Sequence, residues 1–300
     1  MTTVGLIGLG AMGSGMAASL RRAGHAVHVF DVRREVAASF AQDGGTAHDS
    51  LASLGAACDV VVSVVVNAAQ TESVLFGDDT TPGCAASMKP GSVFVMCSTV
   101  DPNWSVALES RLEAMGLRYV DAPISGGAAK AASGQMTMMT AGKPKAYAVA
   151  EPFLNAMAAK VYKLGDSAGA GSKVKIINQL LAGVHIAAAA EAMALGLREG
   201  VDAAALYEVI THSAGNSWMF ENRMAHVLAG DYTPLSAVDI FVKDLGIVLD
   251  VARASKFPLP LSSTAHQMFM QASTGGFAKE DDSAVIKIFP GIELPAQKGT

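Results

Sequence analysis

The chain has 300 residues, with 22 Lys and Arg against 27 Asp and Glu and a formal net charge of −5. That length suits about two domains of ~100–200 residues rather than one small module. An acidic balance without a Lys/Arg cluster excludes a broad nucleic-acid footprint, which needs a basic face for phosphate contacts, but leaves anionic small molecules open through local cations.

Apolar residues make up 51% of the chain, aromatics only 6% and charged residues 16%. Alanine and small aliphatics therefore carry the hydrophobicity, which suits closely packed helices around a large core. Cys58, Cys84 and Cys97 are widely spaced and odd in number. They form neither a disulfide framework nor a metal-ligand pattern, which points to a reducing, cytoplasmic setting and to no metal. The apolar opening at 4–20 lacks a basic flank and is crowded with Gly5, Gly8, Gly10, Gly13 and Gly15, so it reads as mature structure and not as a leader. The most membrane-like stretch, 182–197, is alanine-rich and interrupted by His185 and Glu191. No run is expected to reach the ~20 strongly apolar residues of a bilayer span.

Segments 4–7, 26–30, 60–66, 92–96 and 119–121 read as buried strands separated by helix-length stretches such as 11–23. This rhythm predicts an α/β fold with a parallel, doubly wound sheet. Segments 135–140 and 160–164 extend that sheet in a direction the pattern leaves open, and Gly165 ends the alternation. Beyond it, Val174, Ile177, Leu181, Val184 and Ala188 recur at three- and four-residue steps. They mark one apolar stripe of a long helix ending near Gly200. Segments 203–213, 217–228, 236–255, 261–273 and 281–288 read as further helices, broken at Gly215, Pro234, Pro258 and Gly275, with 294–300 a loose tail. The expected domains are 1–165, α/β, and 166–300, all-helical, joined by the long helix. Alanine-rich helical surface in the second needs a partner, so a homodimer or homotetramer is expected.

Gly8-Leu9-Gly10-Ala11-Met12-Gly13 follows a strand and opens a helix, the context that a dinucleotide fingerprint of Rossmann type requires. Gly8 permits the turn, Gly10 lets backbone approach a pyrophosphate, Gly13 allows close packing, and the helix start presents free N–H groups to the anion. Asp31 ends the second strand 18 residues after Gly13. An acid there accepts the ribose 2′-hydroxyl and repels a 2′-phosphate, favouring NAD over NADP, although Arg33 and Arg34 stand close by.

Asp121-Ala122-Pro123-Ile124-Ser125-Gly126-Gly127 follows another strand. Its Ser-Gly-Gly end can present a hydroxyl and bare N–H groups to a carboxylate, or can be an ordinary turn, with Asp121 and Lys130 simply surface residues. At the start of the long helix, Lys175, Asn178 and Gln179 share a face beside the apolar stripe. Oxidation of an alcohol needs a proton acceptor, which a lysine can supply, while the plain alternative is a solvated helix lysine.

Taken together, Gly-Leu-Gly-x-Met-Gly at 8–13, Asp-Ala-Pro-Ile-Ser-Gly-Gly at 121–127, Gly-x-Gly-x-x-x-Lys at 169–175 and Lys243-Asp244-Leu245 resemble the β-hydroxyacid dehydrogenase family across nearly the whole chain. That resemblance implies an NAD-dependent oxidoreductase acting on a small hydroxy acid, with Lys175 catalytic and Ser125, Gly126 and Gly127 holding substrate. It assigns Asn178 or Gln179 as the orienting amide, and Val65, Val66, Thr99 and Lys243 to the cofactor. Segments 126–134, 178–186 and 216–222 narrow the likeness to members acting on sugar acids. For such a polyol, His185, Asn216, Ser217 and Asn222 are supplementary contacts; alternatively His185 is a buried histidine, and Asn216 and Ser217 start a helix. A non-catalytic nucleotide-binding module is the rival of a different class. Trp218, Met219 and Phe220 read as packing residues, Glu280, Asp281 and Asp282 as a helix start, and His212 and Ser213 as no part of a triad.

Overall fold

The computed structural model describes residues 2–78 and 80–297. The chain parts into two compact units between Lys175 and Ile176.

Among the described residues the first unit carries nine strands: β1 (Val4–Ile7), β2 (Val27–Phe30), β3 (Thr46–Ala47), β4 (Val60–Ser63), β5 (Val93–Met96), β6 (Arg118–Asp121), β7 (Ile124–Ser125), β8 (Met136–Gly142) and β9 (Ala158–Lys163). They lie in the order β3-β2-β1-β4-β5-β6-β8-β7, with β9 paired to β8. Strands β1 to β6 are mutually parallel. Their residues alternate between two cores. Val4, Leu6, Val60, Val62, Val93 and Val95 enter one, while Ile7, Val61, Phe94 and Met96 enter the other. Burial on both faces is why these strands read as continuous apolar runs.

The extension left open by the sequence is mixed. β8 runs antiparallel to β6 and β7 and parallel to β9. Only residues 126–135 separate β7 from β8, fewer than the dozen or so that a parallel crossover needs. β1 lies between β2 and β4, so the strand order reverses at its carboxyl end, the place where open α/β sheets bind ligands.

The helix Ala170–Arg198 begins in the first unit and continues into the second. After it come helices Ala203–Thr211, Trp218–Ala229, Val238–Ala254 and Pro260–Ala272, then a π turn and the 3₁₀ segment Asp282–Ile288. The last of these was expected as an α-helix. Asp281 caps it by accepting from the Ser283 N–H and hydroxyl at 3.1 and 2.7 Å. The second core is built from Ile186, Met193, Phe220, Met224, Val227, Leu245 and the stacked rings of Phe241 and Phe269.

Three expectations are corrected here. Of the stripe Val174, Ile177, Leu181, Val184 and Ala188, only Val184 packs against the helical core; the other four lie on the exposed side of the long helix, with Ile177 59% and Leu181 51% accessible. The core side is instead Ala182, Ile186, Ala190 and Met193. Small residues win there because they let helices close in: a Cβ on Gly183 would stand 2.9 Å from Leu245 and 3.0 Å from Phe241. The same helix is, by length and composition, long and apolar enough to cross a bilayer, which the interruption at His185 and Glu191 had argued against. Finally, the expected tail packs: Leu294 lies against the helical core, and Gln297 and Ala296 come so near Gly230 that a Cβ there would meet them at 2.4 and 2.6 Å. Residues 298–300 lie outside the described residues.

Candidate functional site

At the carboxyl end of β1 the Gly-rich turn is fixed by what glycine lacks. Gly8 has φ +94°, and a Cβ on it would stand 2.5 Å from the Val64 carbonyl beyond β4. A Cβ on Gly13 would overlap the Gly8 carbonyl at 1.8 Å, with Leu6 of β1 next nearest at 3.4 Å. Space above Gly10 is open to 4 Å. Helix Gly13–Arg22 starts at Met12 with no side-chain cap, and apart from the Ser14 N–H, which donates to the Gly10 carbonyl at 3.1 Å, its start can meet an anion. Leu9 is buried, Ala11 exposed and Met12 half-buried. An open approach above an uncapped helix start fits a pyrophosphate.

Asp31, just past β2, is buried and joins the same turn: one oxygen accepts from the Leu9 N–H at 2.7 Å, the other from the Arg33 N–H at 2.8 Å. The Arg33 guanidinium folds over it at 3.2 Å. Burial pushes this carboxyl up, but hydrogen bonds from the Arg33 side chain and from the Arg33 and Leu9 backbones outweigh it and hold the group below the usual carboxylate range. Arg34 is exposed on the following helix.

Val65 and Val66 continue from β4, Val65 half-buried and Val66 exposed. The Ser98 hydroxyl donates to the Val65 carbonyl at 2.7 Å and meets the Thr71 hydroxyl at 3.2 Å, a brace the sequence reading missed. Thr99 follows Ser98 and is half-buried. The ends of β1, β4 and β5, neighbours in the sheet, thus bring the proposed cofactor residues of this unit to one edge.

β6 ends in Asp121, which is fully buried and so is no surface residue. One carboxylate oxygen accepts from the N–H groups of Gly169 and Ser172, each at 2.9 Å, and the other from the Ser172 hydroxyl at 2.7 Å. Burial drives its pKa up against those hydrogen bonds. Ser125 and Gly126 are half-buried, Gly127 exposed. Gly126 and Gly127 have φ of +136° and +75°, a left-handed bend that side chains resist. Lys130 is exposed. Lys175 is only 7% accessible, so it is not the solvated helix lysine of the plain alternative.

In the second unit, the Asn178 amide donates to the side-chain oxygen (Oε1) of Gln179 at 3.0 Å, and the Gln179 amide donates to the Asp244 carboxylate at 2.6 Å. Lys243 bonds the other oxygen of Asp244. Asp244 only accepts, so it dictates the orientation of the Gln179 amide and, through it, of Asn178. His185 is exposed, which removes the buried-histidine alternative. Asn216 donates to the Thr211 carbonyl and to Glu221, Ser217 caps the Phe220 N–H at 3.0 Å, and Asn222 accepts from Arg223. The helix-start alternative therefore describes what Asn216 and Ser217 do within this unit. Arg223 in turn pairs with the fully buried Asp282, a pair with no signal in the sequence. Nucleophilic sulfur chemistry is unsupported, because burial pushes the Cys58 and Cys84 thiols up to about 12 and Cys97 higher still.

Residues 3–165 match the family model for the NAD binding domain of 6-phosphogluconate dehydrogenase, and residues 169–289 that for the NAD-binding region of NADP-dependent 3-hydroxyisobutyrate dehydrogenase. An L-threonate dehydrogenase of Cupriavidus necator is 68% identical over 98% of both chains. One from Escherichia coli K12 is 51% identical over 98% of this chain and 97% of its own. A crystal structure of a 3-hydroxyisobutyrate dehydrogenase from Salmonella typhimurium superposes with a TM-score of 0.91 at 52% identity, covering 96% of this chain and all of that one.

Proposed function

Since the chain belongs to the β-hydroxyacid dehydrogenase family and carries that family's NAD-binding domain, we propose that this dehydrogenase oxidises L-threonate to 2-dehydro-L-erythronate, with NAD as acceptor and Lys175 as the base. The observation that carries the substrate assignment is the full-length likeness to L-threonate dehydrogenases. The burial of Lys175 supports its role, since a side chain withdrawn from bulk water is not an ordinary solvated helix lysine.

Gly8, Gly10 and Gly13 would hold the pyrophosphate with the N–H groups of Ala11 and Met12, while Leu9, whose N–H is held by Asp31, would line the turn and Asp31 would take the ribose hydroxyl. Val65, Val66 and Thr99 flank the cofactor, and Lys243 serves its nicotinamide end. A bound nicotinamide would supply the hydride acceptor for the carbinol carbon. Ser125, Gly126 and Gly127 take the substrate carboxylate, Asn178 and Gln179 orient the polyol, and Lys175 receives the hydroxyl proton as the carbonyl forms. Asn178 lies one turn beyond Lys175 on the same helix, and both amides are already linked, Asn178 to Gln179 and Gln179 to Asp244, so either can serve as the orienting amide.

Residues 1–165 serve as the cofactor domain and 166–300 as the substrate and oligomerisation domain of a homodimer or homotetramer. Helix Ala203–Thr211 supports a second copy: Leu206 and Ile210 pack in part against the helical core, while Val209 stands 63% accessible. Free buried thiols at Cys58, Cys84 and Cys97 suit a cytoplasmic setting.

The test is a panel of L-threonate, D-threonate, the erythronates, glycerate, tartronate semialdehyde and 3-hydroxyisobutyrate, assayed by cofactor absorbance. L-Threonate should give the highest kcat/KM. Likeness to the Salmonella 3-hydroxyisobutyrate dehydrogenase favours a second reading, activity on 3-hydroxyisobutyrate, and preference for that acid would replace the first.

A further inference from the structure

We infer that Asp121 is a positioning residue that sets the place of Lys175, an inference resting on the reading of Lys175 as proton acceptor. The carboxylate of Asp121 ties the end of β6 to the first turn of the helix carrying the lysine, through the Gly169 N–H, the Ser172 N–H and the Ser172 hydroxyl. A second buried acid, Glu109 of helix Pro102–Ala114, accepts from the Ala168 N–H at 3.2 Å. The segment leading into the helix is therefore held from two elements at once. Gly171 brings the backbone closer still: a Cβ there would stand 2.4 Å from the Met139 carbonyl of β8 and 3.0 Å from that of Asp121.

Lys175 follows Ser172 by three residues, about 4.5 Å along the helix axis at 1.5 Å per residue. Any slack in the capped turn is passed to the lysine amine with little intervening helix to absorb it. A reacting group misplaced by about 1 Å can cost about 10²-fold in rate. The negative charge of Asp121 also complements the positive end of this helix. An asparagine at 121 keeps one accepting oxygen for the two N–H groups but turns its NH₂ toward the Ser172 hydroxyl, so it loses the charge that complements the helix start and forces that hydroxyl to accept instead of donate.

Two substitutions read this out, each made alone and in a Lys175→Ala background: Asp121→Asn, and Ser172→Ala, which removes only the hydroxyl bond and keeps both backbone donors. With L-threonate and NAD, Asp121→Asn should lower kcat about 10–100-fold and Ser172→Ala several-fold, the size expected of displaced acid–base geometry. NADH affinity by fluorescence should stay within about two-fold of the parent, since the Gly-rich turn is built on β1; a general loss of structure would move it. Each loss should vanish in the Lys175→Ala background, because residues acting through one group are not additive. Losses of the same factor in both backgrounds, or unchanged kcat in Ser172→Ala together with Asp121→Asn, would overturn the positioning role alone. Normal turnover in Lys175→Ala by itself would overturn the lysine assignment and this inference with it. Should Asp121→Asn not fold, Ser172→Ala carries the comparison.

Discussion

The two units hold their chemistry by different means. In the sheet unit the cofactor edge is made of backbone: a positive φ at Gly8, an absent Cβ at Gly13, open space above Gly10, and strand ends in register. In the helical unit the polar residues are held by one another, Asp244 collecting Gln179 and Lys243, and Arg223 pairing with Asp282. A site made of backbone fails on one added methyl group. A site made of side chains weakens in steps and can be rebuilt by a paired change.

Gly13→Ala tests the first half of that contrast most severely. Overlap with the Gly8 carbonyl leaves no rotamer to adjust, so a loss of about 4 kcal/mol or more is expected. Thermal unfolding and NADH titration would both show it; a stable variant that binds normally would break the comparison. Arg223→Met tests the second half. It strands a buried Asp282 and should cost about 3–5 kcal/mol. Adding Asp282→Leu should restore most of that in the same denaturation assay. Gly183→Ala forces Leu245 and Phe241 back by a few tenths of an ångström, for about 1–3 kcal/mol. An unchanged midpoint would show that the helical core can give way.

The smallest effects concern Asp31. Asp31→Asn should reduce the kcat/KM preference for NAD over NADP about 10-fold or more, the worth of a hydrogen bond to a charged group. The pH dependence has a definite sign. Because its hydrogen bonds hold the Asp31 carboxyl below its ordinary value, its contribution is complete above about pH 5. It fades only as acid brings the pH down through that lowered value. The preference for NAD should accordingly be flat from about pH 6 to 9; a drift in that window would assign it to another group.

The same contrast governs what the sequence displays. Strands β1, β2, β4, β5 and β6 show as apolar runs because both sheet faces are covered, and the fingerprint at 8–13 shows because turn, glycine spacing and helix start are local. Asp121 gives no such signal, since its partners stand 48 and 51 residues away. Arg223 and Asp282, 59 apart, are equally silent. The apolar stripe at Val174, Ile177 and Leu181 was legible as a stripe, but periodicity does not say which face a helix buries when alanine and glycine make the tighter contact. Lys175 could be placed on a helix face by spacing, while its burial is set by tertiary packing.

The proton-accepting role of Lys175 is measured most directly by the turnover of Lys175→Ala with L-threonate and NAD, alongside its NADH affinity and unfolding midpoint. The account predicts a kcat lower by about 10²–10⁴-fold with binding and folding intact. Near-normal turnover in a folded, cofactor-binding variant would contradict it.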